Sequence, residues 1–371
     1  MKFIKISAFA IVLLLLMQIV SKAFIAIDSS DIENIYGFYS EPKNSLDMVM
    51  IGPSEVYTGY APALAWEEYG LKSCNLSIGA VSCNMYKSIV TEIVKRQKPK
   101  LLLINASAFS YCNSNLTDEV YLRKWIDNMP MSQNKLDTVK TIPKNINNDD
   151  EKVKDNISDT LYFPLEKYHG NWKAPEAVYT SFVTRAYMRL SGGGYLKGFY
   201  SKTGITGGRD NLANIGQPTK EAYMLTDECR AYLKELLSYC NKLGIEHVLL
   251  LQPPHETQAA DKSGLEQIES ITKEYGYDFL DLSTDYESIA GIDDSHDFAD
   301  FEHLNAYGAQ KLSSYIGNLV VNQYGIKSDT TGSELSRWEK SVKRTKKALK
   351  MAREYTDRGE AQVVGEYEAA K

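Results

Sequence analysis

Five short apolar runs, each separated from the next by at least one stretch of helical spacing, constrain this chain more than any other feature. They are Leu46–Gly52 (LDMVMIG), Cys74–Ile78, Lys100–Ile104 (KLLLI), Glu246–Gln252 (EHVLLLQ) and Tyr277–Leu282 (YDFLDL). Ala61–Gly70 looks helical and ends on glycine, and Asn84–Gln97 places Ile89, Ile93 and Val94 on one face. Asp227–Leu243 is closed by Gly244, and Gly264–Tyr275 and Asn305–Tyr324 follow the last two runs. Strands alternating with helices of this length predict an α/β fold, a five-stranded parallel sheet in a three-layer α/β/α sandwich. With 43% apolar residues in 371, the chain has ample material for its core.

Residues 1–27 read as a separate element. Lys2 and Lys5 precede Ile6–Val20 (ISAFAIVLLLLMQIV), and the apolar character continues to Ile27 before Asp28 ends it. That length is about one bilayer crossing. The one small-x-small triplet after the run, Ser21-Lys22-Ala23, is followed by further apolar residues, which favours an uncleaved anchor over a removed signal peptide. The flanking lysines favour a cytoplasmic N-terminus. The expectation is a single-pass protein of the cell membrane, with its remainder outside the cytoplasm.

The α/β pattern spans 45–326 and is interrupted by an insertion, 111–226. This insertion holds the polar stretch Asn145–Asp159 and the glycines at 192–194 and 207–208, and it reads as loop-rich, a lid or substrate wall or a structural elaboration. The last section, 333–371, reads as a charged helical tail. Glu334–Arg353 carries eight Lys or Arg against two Glu, with one apolar stripe through Trp338, Val342, Thr345, Leu349 and Ala352. That helix either packs its stripe on the domain or turns its basic face to anionic polymer or lipid. A net charge of −6 argues against a nucleic-acid partner. The five cysteines show no metal-site spacing and read as buried thiols; no metal or cofactor is expected.

Three features fall at strand ends, where open parallel sheets carry their sites. Gly52-Pro53-Ser54 follows the first strand and presents a serine at a helix start, its N–H suited to a developing negative charge. Gly79 follows the second strand and allows close backbone approach. Asp300-Phe301-Glu302-His303 precedes the closing helix, with Asp300 and His303 three apart and so on one face. Asp300 can hold one ring nitrogen while the other takes the proton of Ser54. Of the remaining histidines, His169 and His255 could line a pocket, whereas His247 and His296 read as structural.

Together these blocks resemble the SGNH (GDSL-like) hydrolase superfamily, over Gly52 to about Tyr324. The resemblance implies a flavodoxin-like parallel sheet and a catalytic Ser54, Asp300 and His303. It also implies an oxyanion hole from the N–H groups of Ser54 and Gly79, with Asn105 as the nearest match to the family's third donor. The sequence has Gly-Pro-Ser where the family usually has Gly-Asp-Ser. YFPLEKYHGNW (Tyr162–Trp172), KGFY (Lys197–Tyr200) and EHLNAYGAQKL (Glu302–Leu312) are similar to membrane-anchored Gram-positive members that serve lipoteichoic-acid D-alanylation or polysaccharide O-acetylation. That branch implies a serine esterase or O-acyltransferase, an acylated polysaccharide or cell-wall polymer as substrate, and a membrane-bound O-acyltransferase as partner. The alternative is a non-catalytic envelope module that keeps the fold and binds polysaccharide or a partner.

Overall fold

The structure is a computed structural model, describing residues 2–25, 29–110, 116–142, 157–190, 194–214, 216, 220–256 and 258–370. Counting the strands of the central sheet in chain order, β1 is Met48–Gly52, β2 Ser73–Ser77, β3 Leu101–Asn105, β4 His247–Gln252 and β5 Asp278–Asp281. They lie in the order β2-β1-β3-β4-β5, every pairing parallel. Near-continuous apolar strands are what a parallel sheet covered on both faces requires. Alternate residues divide accordingly. Met48, Met50, Leu101, Leu103, Leu249 and Leu251 meet Val56, Leu312 and Ile316 on one face. Val49, Ile51, Leu102, Ile104, Val248 and Leu250 meet Ile89, Ile93, Leu233, Leu237 and Ile268 on the other. The five-stranded parallel α/β core is thus as the sequence predicts. From β1 the chain moves outward to β2 and then crosses back past β1 to β3, a change of direction that opens a crevice at the carboxyl ends of β1 and β3.

The insertion departs from expectation. Its described parts are largely helical: Glu119–Ile126, Gln133–Lys140, Pro164–Tyr168 and Pro175–Leu190. Asp118 and Ser132 cap the first two by accepting from the N–H groups of Val120 (2.8 Å) and Lys135 (3.3 Å). Most of the polar stretch 145–159 lies outside the described residues. A further helix, Ser29–Ser40, buries Ile32, Ile35 and Phe38; its serines and central Gly37 disguise it in the sequence. The N-terminal helix runs Lys2–Phe24, and its stretch Ile4–Phe24 is long and apolar enough to cross a membrane; residues 26 and 27 of the expected span lie outside the described residues.

The tail packs on the domain. The helix Gly332–Asp357 buries Trp338, Val342, Thr345, Leu349 and Ala352, the stripe read from the sequence, and Trp338 stacks on Trp66 with ring centroids 5.5 Å apart. Beyond it, Val363–Val364 pairs antiparallel with Ser201–Lys202. The short helix Glu366–Ala370 is held by Glu33, whose carboxylate accepts from the N–H groups of Glu366 (2.8 Å) and Tyr367 (3.3 Å). Burial pushes the Glu33 carboxyl from its ordinary 4.5 up to about 8, against the hydrogen bonds from Tyr200 and Glu366. The folded protein therefore holds a proton there that the unfolded chain has released. This contribution to stability is complete below about 4.5 and disappears as pH rises through about 8. Melting temperature should accordingly fall between pH 6 and pH 9, and Glu33→Gln should flatten that fall, measured by calorimetry across the range.

Candidate active site

Ser54 owes its position to a close approach that only glycine permits. A Cβ on Gly52 would lie 2.5 Å from Asn105 Cβ and 2.6 Å from Val56 Cγ2. Without one, β1 ends against β3, Pro53 turns the chain, and Ser54 opens the helix Ser54–Gly59 at the crevice. As the first helical residue, its N–H has no intrahelical acceptor.

The turn carrying Asp300 and His303 is closed on itself before the helix Ala306–Gln323 begins. Ala299 N–H donates to His303 O (2.8 Å), and Asn305 Oδ1 caps the helix by accepting from Tyr307 (2.9 Å) and Gly308 (3.2 Å) N–H. Asp300 Oδ1 accepts from the backbone N–H of Glu302 (3.0 Å) and His303 (2.9 Å) and lies 2.7 Å from His303 Nδ1. His303 Nε2 lies 2.7 Å from Ser54 Oγ. The structure therefore brings the three residues singled out by the sequence into one hydrogen-bonded line. That line can move a proton from the serine hydroxyl to the ring.

Lys202 completes the group, and no sequence pattern marks it. Its ammonium pairs with Asp300 Oδ2 and lies 3.2 Å from His303 Nδ1. Burial alone would raise the Asp300 carboxyl, but the hydrogen bond and charge of His303, then Lys202, outweigh it and hold the group well below the usual carboxylate range. The two neighbouring glutamates move the other way. Glu55 accepts from Ser107 Oγ (3.0 Å), and burial followed by the charge of Glu302 pushes it up to about 8. Burial also raises Glu302.

Ser54, His303 and Lys202 open on a cleft of about 400 Å³ whose walls include Ser30, Tyr57, Tyr200, Val363 and Glu368. The other expected residues are placed differently. Gly79 N–H donates to Asp31 Oδ1 (2.7 Å), and Lys124 bridges Asp31 Oδ2 and Gly79 O, each at 3.2 Å. A buried carboxylate needs donors, and Asp31 takes the one that Gly79 was expected to offer an oxyanion. Asn105 is fully buried at the end of β3, across from Gly52; its Oδ1 accepts from Ser107 N–H (2.8 Å), and its Nδ2 has no hydrogen-bond partner among the described residues. His169 is exposed, with Nδ1 2.7 Å from Glu166 O, and does not line this cleft. His255 is fully buried with its ring edge-on to Phe301 (5.7 Å), behind the Asp300 turn.

No protein-family model and no curated protein matches the chain. The local geometry makes its own demand. Gly52→Ala should overpack the β1–β3 junction and cost roughly 1–3 kcal/mol, read as a lower denaturation midpoint at unchanged slope.

Proposed function

We propose that this chain is a membrane-tethered serine esterase or O-acyltransferase of the SGNH type, acting on acyl esters of a cell-envelope polymer. The observation that carries this reading is the Ser54–His303–Asp300 line, with both side-chain links at 2.7 Å. Ser54 Oγ attacks the acyl carbonyl carbon while His303 Nε2 takes the hydroxyl proton, and Asp300 holds Nδ1. The ring then returns that proton to the departing alcohol, leaving an acyl-Ser54 ester. His303 next deprotonates either water, which gives an esterase, or a sugar hydroxyl, which gives a transferase. The N–H of Ser54 and the Nδ2 of Asn105, which has no partner among the described residues, are the donors for the oxyanion; Gly79 joins them only where Asp31 releases its N–H.

Two tyrosines, Tyr57 and Tyr200, line the cleft beside Ser54. An aromatic face with a polar edge suits a sugar ring, which supports a carbohydrate polymer as acceptor or ester carrier. The sequence resemblance adds a membrane-bound O-acyltransferase as the partner that would supply the acyl group. The apolar helix Ile4–Phe24, with Lys2 and Lys5 at its start, supports a single span with the cleft outside the cytoplasm.

A fluorophosphonate should label Ser54 of the purified chain, and Ser54→Ala should abolish both labelling and turnover of a small acyl ester. His303→Ala should lower turnover by roughly 10⁴-fold or more, with Asp300→Asn less severe. Lys202→Met should cost about 10–100-fold, the worth of one charge-assisted hydrogen bond. Absence of labelling, together with full function of Ser54→Ala in cells, would leave the binding-module reading in its place. A stimulation of turnover by added polysaccharide distinguishes transfer from hydrolysis.

A further inference from the structure

The helix Pro175–Leu190 is turned inside out for a soluble protein. Its buried side carries Ser181, Thr184, Arg185 and Met188, while Tyr179, Phe182 and Leu190 are 69%, 52% and 86% exposed. Those three share one stripe of the helix. Two preceding aromatics are exposed as well: Phe163, and Trp172, which is 65% exposed. Single exposed apolar residues are ordinary, but a helix that turns its aromatics outward over a buried serine, threonine and arginine is not.

This face is fastened to the end of the N-terminal apolar helix. Asn171 Nδ2 donates to Phe24 O (2.9 Å), and Arg185 donates from Nη1 to Lys22 O (3.0 Å) and from Nη2 to Ile25 O (2.7 Å). These bonds satisfy carbonyls that a helix end leaves without partners. An apolar groove of about 440 Å³ runs between the two helices, lined by Gln18, Ile19 and Lys22 on one side and Phe182, Arg189 and Leu190 on the other. Gln18 precedes Phe24 by less than two turns, about 9 Å along the axis. With Ile4–Phe24 in a bilayer, the groove, with Phe182 and Leu190 on its wall, stands at the depth of about 5–10 Å where interfacial helices bury their apolar faces. Lys173 and Arg189 are exposed beside the patch, placed to meet lipid phosphates.

We propose that residues 163–190 form a lipid-embedded foot, with Phe163, Trp172, Tyr179, Phe182 and Leu190 seated among the headgroups and upper acyl chains of the bilayer that holds the anchor. The globular part then rests on the membrane instead of swinging from a tether. The proposal depends on the anchor reading and is independent of the serine chemistry.

Trp172 is a natural reporter. Trp125 and Trp338 are buried, and Trp66 is stacked on Trp338. The full chain is reconstituted in nanodiscs of plain phosphatidylcholine and of phosphatidylcholine brominated on the acyl carbons near the headgroup. The expected result is a loss of tryptophan emission in the brominated discs that disappears in Trp172→Phe. The combined change Tyr179→Ser and Phe182→Ser should weaken the quenching while phosphonate labelling of Ser54 is retained. Trp172 emission indifferent to bromine overturns the proposal, whether it is red-shifted by water or blue-shifted under a protein neighbour; the second result would assign the face to a protein partner. A chain that fails to co-float with the discs overturns the anchor itself, and with it the foot, leaving the serine reading to its own labelling test.

Discussion

A buried ion pair joins the parts of this protein that the sheet alone does not hold. Lys197 Nζ lies 2.9 and 3.0 Å from the two carboxylate oxygens of Glu41, both side chains nearly inaccessible to water, and Arg337 meets the same carboxylate at 3.2 Å. Lys197 also sits 4.7 Å from the ring of Trp338. Three distant segments thereby share one charge cluster: the residue just after the helix Ser29–Ser40, the KGFY segment and the C-terminal helix. Taking these charges out of water is expensive, and removing one partner would leave the others uncompensated, a loss of about 3–5 kcal/mol. The backbone of Lys197 confirms the constraint, since its φ of +56° is uncommon for any residue but glycine. Gly198 follows at +81°, where a Cβ would lie 2.5 Å from Asn75 O. This turn sends Tyr200 and Lys202 to the cleft.

What was legible in the sequence was whatever rests on local patterning. The five strands could be read because both-face burial makes them continuous apolar runs. The Asp300–His303 turn could be read because three-residue spacing fixes a shared face. The helix Ser29–Ser40 could not, since its buried polar residues Asp31, Glu33 and Asn34 are satisfied or enclosed by distant segments and spoil its periodicity. Lys202 was illegible for the same reason: it reaches Asp300 through a two-residue strand paired with Val363–Val364, a contact that no local rule announces. Gly79 shows the converse error. Its position after β2 was readable, but the partner of its N–H, Asp31, was not.

The site separates its carboxyl groups by environment. Asp300 has a cation, an imidazole and two backbone donors and stays ionised. Glu55, desolvated by burial, with one hydroxyl donor and the charge of Glu302 nearby, is pushed up to about 8, toward its neutral acid. In the proposed reaction, ionised carboxylates this close to Ser54 would oppose an oxyanion, so a protonated Glu55 leaves the field there less hostile to negative charge.

The cleft is walled by Ser30 from one extremity of the chain and by Val363 and Glu368 from the other. Residues far apart in sequence therefore have to meet before the cleft beside Ser54 takes its shape. Contacts spanning nearly the whole length also form late, because closing so large a loop carries its entropy cost before any reward. The surroundings of Ser54 are consequently among the last parts of the fold to be walled in.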